Sequence, residues 1–340
     1  MLTVIGEALI DEVVRGSGAV ETHVGGSPMN VAVGLARLGH AVQFLGRIGQ
    51  DPYGTLISAH LHGNSVLVPL ARVFGTTSVA RASLGADHAA SYDFDLDWEL
   101  PGFDPEPNGT HRGLLQATTL LHTGSIASML QPGCSQVFKA VLVARPHATI
   151  AYDPNCRPTI VADVDYARNQ AEQFVRLADV VKASDEDLRW LYPALDPLQA
   201  ARNWLRIGGA ADGPAVVVVT MGADGPWAVN AAGETHTKVP PAEVVDTVGA
   251  GDSFMAALLS TLVDRELDGA QRREALRSLS AGDLTEILRY AAAAAAVTVS
   301  RAGADPPRRA DLQLQHQSQH SRQQHQLQQS LPQQNQSRDN

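Results

Sequence analysis

The sequence predicts an α/β domain whose central sheet is mostly parallel and covered by helices on both faces. Three observations lead there. Short apolar, β-rich runs recur along the chain, and amphipathic helix-length segments separate them. The run Val216-Val217-Val218-Val219 is apolar at four successive positions, as in a strand buried on both faces. Strands alternating with helices make a parallel sheet, because each return crossing takes a helix.

In chain order, strands are expected at Leu2–Ile5, Val42–Leu45, Thr119–His122, Thr149–Tyr152, Val180–Lys182 and Val216–Thr220. Helices are expected at Met29–Leu38, Gln136–Val143, Asp165–Leu177 and Leu198–Ile207. The Ala-rich run Tyr290–Val299 is too short to span a bilayer and reads as a packed helix. Glu12–Val24 and Thr76–Asp97 break this rhythm with alternating patterns and no helical period. Ser91-Tyr92-Asp93-Phe94-Asp95-Leu96 suits a half-exposed antiparallel strand. These two stretches are expected to form a small sheet projecting from the main domain, with Pro101–Gly109 as its return connection. From Gln313 the composition turns to Gln, His and Ser with almost nothing apolar, so a domain over 1–312 and a disordered tail over 313–340 are expected.

With 340 residues and 44% apolar content, the chain can bury one large core or two modest ones. A formal net charge of −10 argues against nucleic acid or an anionic membrane as the main partner, while a few local donors still suffice for a phosphate. Cys134 and Cys156 show no short metal-type spacing. The start Met-Leu-Thr-Val-Ile-Gly has no basic segment before it runs into the first strand. A reduced, cytoplasmic protein is expected.

Two stretches carry chemistry. Asp246-Thr247-Val248-Gly249-Ala250-Gly251-Asp252-Ser253-Phe254 follows the apolar piece Val244-Val245 and opens a helix through Ala256, Ala257, Leu258 and Leu262. Glycines at a helix entrance admit a ligand to the backbone and leave N–H groups unsatisfied. With the helix dipole they make an anion hole suited to a transferring phosphoryl group. Asp252 falls in the first turn, where a carboxylate can take the proton of an alcohol bound beside that phosphate. A sugar hydroxyl is a poor nucleophile without a base within about 2.6–3.2 Å. The plain alternative is a Gly turn with an Asp at a helix start. The second stretch, Gly25-Gly26-Ser27-Pro28-Met29-Asn30, opens a helix that continues to Gly39. Paired glycines let a small polyol lie against bare backbone, and Asn30 offers a donor and an acceptor. An ordinary helix start with proline near it reads the same way.

Together, Gly25-Gly26-x-x-x-Asn30 and Asp246-Thr247-x-Gly249-Ala250-Gly251-Asp252 resemble the two signatures of the ribokinase-like (phosphofructokinase-B type) carbohydrate kinase family, in the same order and widely separated. The match covers about residues 1–310. The resemblance implies a ribokinase-like three-layer α/β/α sandwich with a small β-sheet lid from about 12–24 and 76–100. It implies Asp252 as the catalytic base, with Gly249, Ala250 and Gly251 as the anion hole. Asp11, in Gly6-Glu7-Ala8-Leu9-Ile10-Asp11, joins Gly25, Gly26 and Asn30 as a sugar ligand. ATP and Mg2+ are implied as cofactors, with K+ against Asp246. Val248 stands where relatives often carry a second threonine, a difference that a backbone carbonyl ligand survives.

Other elements of the resemblance are more local. Gly49-Gln50-Asp51-Pro52-Tyr53-Gly54 is similar to the family's Gly-x-Asp-x-x-Gly element and reads as a structural turn. Asp153-Pro154-Asn155-Cys156-Arg157 resembles the Asp-x-Asn-x-Arg stretch of fructokinases, with Arg157 reaching substrate or nucleotide phosphates or standing solvated at the surface. It follows a strand at the carboxyl end, where open α/β sheets bind ligands. Many relatives carry Asn-x-x-Glu, tied to Mg2+ and phosphate, where this chain has Ser184-x-x-Asp187. Both residues keep oxygens suited to Mg2+ or its water shell, and a helix N-cap competes as the role of Ser184. Thr220, Gly222 and Gly225 resemble the nucleotide-side loop, and Arg301-Ala302-Gly303-Ala304 the segment flanking adenine. Lids in this family often pair, which implies a homodimer through the lid.

Rival readings fit less well. Gly249-Ala250-Gly251 begins a dinucleotide-type G-x-G-x-x-G, but the closing position is Phe254, and no G-x-x-x-x-G-K-S/T occurs. A non-catalytic sugar or nucleotide sensor on this fold is the alternative from another class, and the intact Asp252 speaks against it. His60, His62 and His122 form no ligand constellation, while Tyr92, Phe94 and Trp98 either wall the sugar or pack the small sheet. The expected activity is ATP-dependent phosphorylation of a sugar hydroxyl. Fructose is the first choice because Gly6–Asp11, Asp153–Arg157 and Ser184-Asp185-Glu186 resemble fructokinases; 2-keto-3-deoxygluconate, tagatose, ribose and nucleosides stay open.

Overall fold

The computed structural model describes residues 1–14, 19–84, 90–106, 108–209 and 212–313. The tail from residue 314 and parts of both expected lid stretches, 15–18 and 85–89, lie outside the described residues.

Strands β1 (Leu2–Ile5), β2 (Leu9–Val14), β3 (Val20–Gly25), β4 (Val42–Leu45), β5 (Val79–Leu84) and β6 (Ala90–Asp95) come first in the chain. They are followed by β7 (Leu120–Gly124), β8 (Thr149–Asp153), β9 (Val180–Ser184), β10 (Val216–Thr220), β11 (Pro226–Asn230) and β12 (Gly233–His236). The main sheet has the order β12-β11-β10-β9-β8-β7-β1-β4. Its six strands from β10 to β4 are parallel, as the alternation of strands and helices predicts. The antiparallel pair β11–β12 at the edge was not anticipated: its residues form no continuous apolar run, and the turn between them is a weak Ala-Ala signal.

The sheet separates two apolar cores. Val216 and Val218 of β10 join one core and Val217 and Val219 the other, so the four-valine run is buried on both faces as its pattern requires. Helices Ser27–Arg37, Ala250–Asp264 and Ala281–Val299 cover one face; Gly133–Ala144, Val164–Leu177 and Pro197–Leu205 cover the other. A second sheet, β3-β2-β5-β6, stands apart from the first. The architecture is therefore the expected three-layer sandwich with a small additional sheet. No helix among the described residues is long and apolar enough to cross a membrane.

Two local contacts set the placement of the small sheet and of the helices behind the main one. Asp51 caps helix Pro52–Gly63 through the Gly54 amide at 2.7 Å and takes the Thr77 amide at 2.7 Å and hydroxyl at 2.6 Å. The Gly49–Gly54 element is thus a structural turn that anchors the root of the small sheet. Helices Ser27–Arg37 and Ala250–Asp264 approach so closely at Gly34 that a side chain there would begin 2.6 Å from the Ala256 methyl. Helix propensity alone favours Gly34→Ala by about 1 kcal/mol, whereas overpacking costs roughly 1–3 kcal/mol. Gly34→Ala is expected to lower the urea midpoint of unfolding; a raised midpoint would contradict this helix contact.

Candidate active site

The carboxyl ends of β1, β7, β8, β9 and β10 face the small sheet across a cleft of about 910 Å3. This is the edge at which the side chains of a parallel sheet converge with the N-termini of the following helices. Of the sequence-predicted residues, Asp11, Gly26, Asn30, Arg157, Ser184, Asp187, Thr220, Gly222, Gly249, Gly251 and Asp252 all line it.

Asp252 lies in the first turn of helix Ala250–Asp264. Its two oxygens accept hydrogen bonds from the Ser27 hydroxyl at 2.6 Å and the Asn30 amide at 2.8 Å, both on helix Ser27–Arg37. Asn30, expected as a sugar ligand, therefore spends a donor on Asp252. Ser27 belonged to the quoted motif, but its role was missed. Gly249 is the N-cap, with φ of 74° and Ala304 so close that a side chain would begin 2.6 Å from the Ala304 methyl. Both facts demand glycine. The Ala250 amide bends back to the Thr247 carbonyl at 3.3 Å, so the amides of Gly249, Gly251 and Asp252 are the ones left for an anion. This corrects the expectation for Ala250.

The paired glycines act differently from the expected bare floor. Gly25 does not line the cleft; the Asp11 carboxylate fills the space a Gly25 side chain would need. Gly26 has φ of 114° and abuts the Glu7 carbonyl. Burial holds Asp11 above the usual carboxylate range, against the pull of His23 and Arg157. Beside it lies a residue that was not assigned, Glu7, 4% exposed and accepting from the Ala127 amide at 3.2 Å. Burial pushes Glu7 up to about 7, against Ser125 and Arg157. Arg157 commits one nitrogen to the Asn155 side-chain oxygen at 2.7 Å and to two carbonyls. Phe94 lines the cleft. Trp98 is core instead, donating to the Ala127 carbonyl at 3.1 Å, and the Tyr92 side chain lies outside the described residues.

On the other flank, Ser184 caps helix Asp185–Leu191 in a reciprocal pair with Asp187. The Asp187 oxygens accept from the Cys156 amide at 2.7 Å, the Ser184 amide at 3.0 Å and the Ser184 hydroxyl at 2.7 Å. Ser184 takes the cap role, and both Asp187 oxygens already accept hydrogen bonds. Asp246 ties Val248, through its amide at 3.0 Å, to Gly303, through its amide at 2.8 Å. Those two amides hold it below the usual carboxylate range. Among the described residues no group of three or more His, Cys, Asp or Glu is arranged to hold a metal ion. A second, apolar cavity of about 520 Å3 adjoins the cleft and shares Thr220, Gly222, Thr247 and Gly251 with it. Gly225, Ala250, Pro240, Ala292, Ala296 and Val299 help to line it. The Arg301–Ala304 segment is not in its wall; the preceding helix face is.

A glycine-bounded anion hole, a carboxylate pinned in its first turn and an apolar pocket alongside suit phosphoryl transfer to an alcohol. The model of the pfkB family of carbohydrate kinases matches residues 1–311. The chain belongs to that family. It is a sugar kinase. Among its relatives, a fructokinase of Klebsiella pneumoniae is 31% identical over 266 residues, covering 76% of this chain and 83% of that protein. A probable fructokinase-2 of Arabidopsis thaliana is 30% identical, covering 88% and 90%. The crystal structure of a Xylella fastidiosa fructokinase with bound ATP superposes with a TM-score of 0.77 at 25% identity, covering 93% of this chain and 98% of that one.

The raised Glu7 makes a checkable statement about this pfkB kinase. A carboxyl whose folded pKa lies above its unfolded value stabilises most below the unfolded value, about 4.5, and loses that contribution as pH rises through about 7. Glu7→Gln is expected to reduce the fall in unfolding free energy between about pH 5 and pH 8 by ~2 kcal/mol. An unchanged pH dependence would mean that Glu7 ionises normally.

Proposed function

We propose that this kinase is a fructokinase, converting D-fructose and ATP to fructose 6-phosphate and ADP. The observation that carries the reading is the Asp252 carboxylate, fixed by Ser27 and Asn30 beside the free first-turn amides of Gly251 and Asp252. The sugar lies between the small sheet and the main sheet, against Asp11, Gly26 and Asn30. Asp252 takes the hydroxyl proton as the oxygen attacks the γ-phosphorus in line, and ADP leaves. The Gly251 and Asp252 amides hold the charge that gathers on the phosphoryl oxygens. The base of ATP fills the apolar cavity beyond Thr220 and Gly225.

Mg2+ fits this site as an ion carried in by the nucleotide, held by Asp187 through its water shell because both Asp187 oxygens are engaged. Bound there, it supplies neutralisation of phosphate charge. Asp246 is the side chain assigned to K+, to be checked by comparing turnover in K+ and in a bulky organic cation. A homodimer through the small sheet belongs to the same proposal, since β3 and β6 are its two edges; light scattering in solution checks it.

The choice of sugar rests on charge. Asp11 and Glu7 flank the sugar end of the cleft, facing a single guanidinium, Arg157, that is partly committed. Two carboxyl groups favour a neutral polyol and disfavour sugar acids and sugar phosphates. ADP release across neutral sugars, sugar acids and nucleosides is expected to show turnover on fructose and at least about tenfold lower kcat/KM on 2-keto-3-deoxygluconate. Greater turnover on the acid would overturn the fructose assignment. In parallel, Asp252→Asn is expected to lower kcat by about 10²–10⁴ without unfolding the protein; retained turnover would remove Asp252 as the base. The apolar base pocket is expected to discriminate poorly, with GTP supporting turnover within about 100-fold of ATP.

A further inference from the structure

Lys182 has no part in the roles assigned so far. It stands in β9 among Val180, Val181 and Ala183, and its side chain is 4% exposed. Its ammonium donates to the Asp153 carboxylate at 2.7 Å, itself 2% exposed at the end of β8. Three of the chain's 26 basic residues are lysines, Lys139, Lys182 and Lys238, and the other two are exposed. A chain that relies on arginine almost everywhere has placed a compact ammonium here.

Stability alone does not account for the pair. Desolvating two charges offsets most of their attraction, and a well-packed apolar pair of similar volume would serve the fold as well or better. Position gives the better reason. The Lys182 ammonium lies 3.1 Å from the point where a Gly251 side chain would begin, against the first turn of helix Ala250–Asp264, and it lines the cleft. Burial works against its charge, but Asp153, Asp187 and Asp252 outweigh that and hold the ammonium protonated. Burial, reinforced by the Lys182 charge, holds His122 neutral.

We propose that Lys182 is a catalytic residue of the phosphoryl-transfer site, offering a charge-assisted hydrogen bond to a non-bridging oxygen of the transferring phosphoryl group while Asp153 aims it. The inference rests on the kinase reading of this cleft. In the step, the sugar oxygen–phosphorus bond forms and the bond from phosphorus to the leaving ADP oxygen breaks. The hydroxyl proton passes to Asp252, and Lys182 keeps all of its protons. Gly251 has no side chain, so the ammonium and the Gly251 amide act on one oxygen from adjacent directions.

The test compares the full-length wild type, Lys182→Met, and the double variant Lys182→Met with Asp153→Leu, using whichever sugar the wild type phosphorylates. Wild-type turnover is the control that separates failure of this inference from failure of the kinase reading. Lys182→Met is expected to lower kcat by about 10²–10³-fold while sugar KM stays within about threefold. The single variant leaves Asp153 buried and unpaired, so the apolar double variant controls for folding. It is expected to melt near the wild type and still lack turnover. A double variant within tenfold of wild-type kcat would show that the pair is only structural and overturn the proposal.

A measurement on the unmutated protein stands beside these. With three lysines, the side-chain carbons can be labelled and resolved by NMR. The Lys182 signal is expected to shift between the ADP–Mg2+–sugar complex and the same complex with aluminium fluoride as phosphoryl mimic. An unmoved signal would overturn the contact.

Discussion

Everything the site can do depends on two helix N-termini meeting at one carboxylate. Ser27 and Asn30 come from one helix, Asp252 from another more than 200 residues later, and their hydrogen bonds of 2.6 and 2.8 Å fix the Asp252 carboxylate at both oxygens. Side chains alone would not achieve this. The helices must lie close enough for their first turns to touch, and Gly34 against Ala256 permits it one turn into the shared core. The same approach places the open amides of Gly251 and Asp252 beside that carboxylate, which on the proposed mechanism would bring base and anion hole together in one place.

Charge is distributed unequally along the cleft, and the inequality sorts ligands. Near β8 and β9, Asp153, Asp187 and Asp252 surround one buried ammonium, Lys182. On the proposed reading, a polyphosphate would offer its negative charge to the ammonium and the helix amides, and Mg2+ held with it would offset the carboxylates. On the β1 and β2 side of the cleft, burial holds Glu7 and Asp11 above the ordinary carboxylate range. Groups so poised accept hydrogen bonds from hydroxyls or donate to them, depending on protonation, and resist a second anion.

Much of this was legible in the sequence, and the reasons for the rest are physical. The six parallel strands could be read because each is a short, mostly apolar run buried on both faces and set between helix-length segments. The β11–β12 hairpin was missed because Pro226–His236 has neither that run nor a strong turn pair. Asp252 and its glycines were legible because a helix start with bare backbone has a composition of its own. Ser27, Glu7 and Lys182 were not assigned, since each gains its meaning from a partner distant in sequence: Asp252, Ala127 and Asp153. The one available sign was the charge of Lys182 inside an otherwise apolar strand. Gly25 was misread for the same reason, because its missing side chain serves the Asp11 carboxylate across the β2–β3 pair rather than a ligand.

The small sheet joins the main domain through a fixed root, and this constrains how the cleft can close. Thr77, just before β5, is held by Asp51 through both its amide and its hydroxyl. Arg47 binds the Thr76 carbonyl at 2.6 Å and pairs with Asp97, just after β6. Trp98 is then buried against the Ala127 carbonyl. Tyr53, on the helix that Asp51 caps, reaches Glu12 of β2, which Arg81 of β5 also holds at 2.7 Å. The ends of β5 and β6 nearest the main sheet are therefore tied to the same body that carries Asp252. A closing motion would have to bend the sheet beyond Thr77 and Asp97, on the side where Asp11, Ala80 and Phe94 line the cleft. On the proposed mechanism, a rigid root with a bending outer sheet would let sugar binding exclude water without disturbing Asp252, which is the condition for transferring phosphate to a hydroxyl in preference to water.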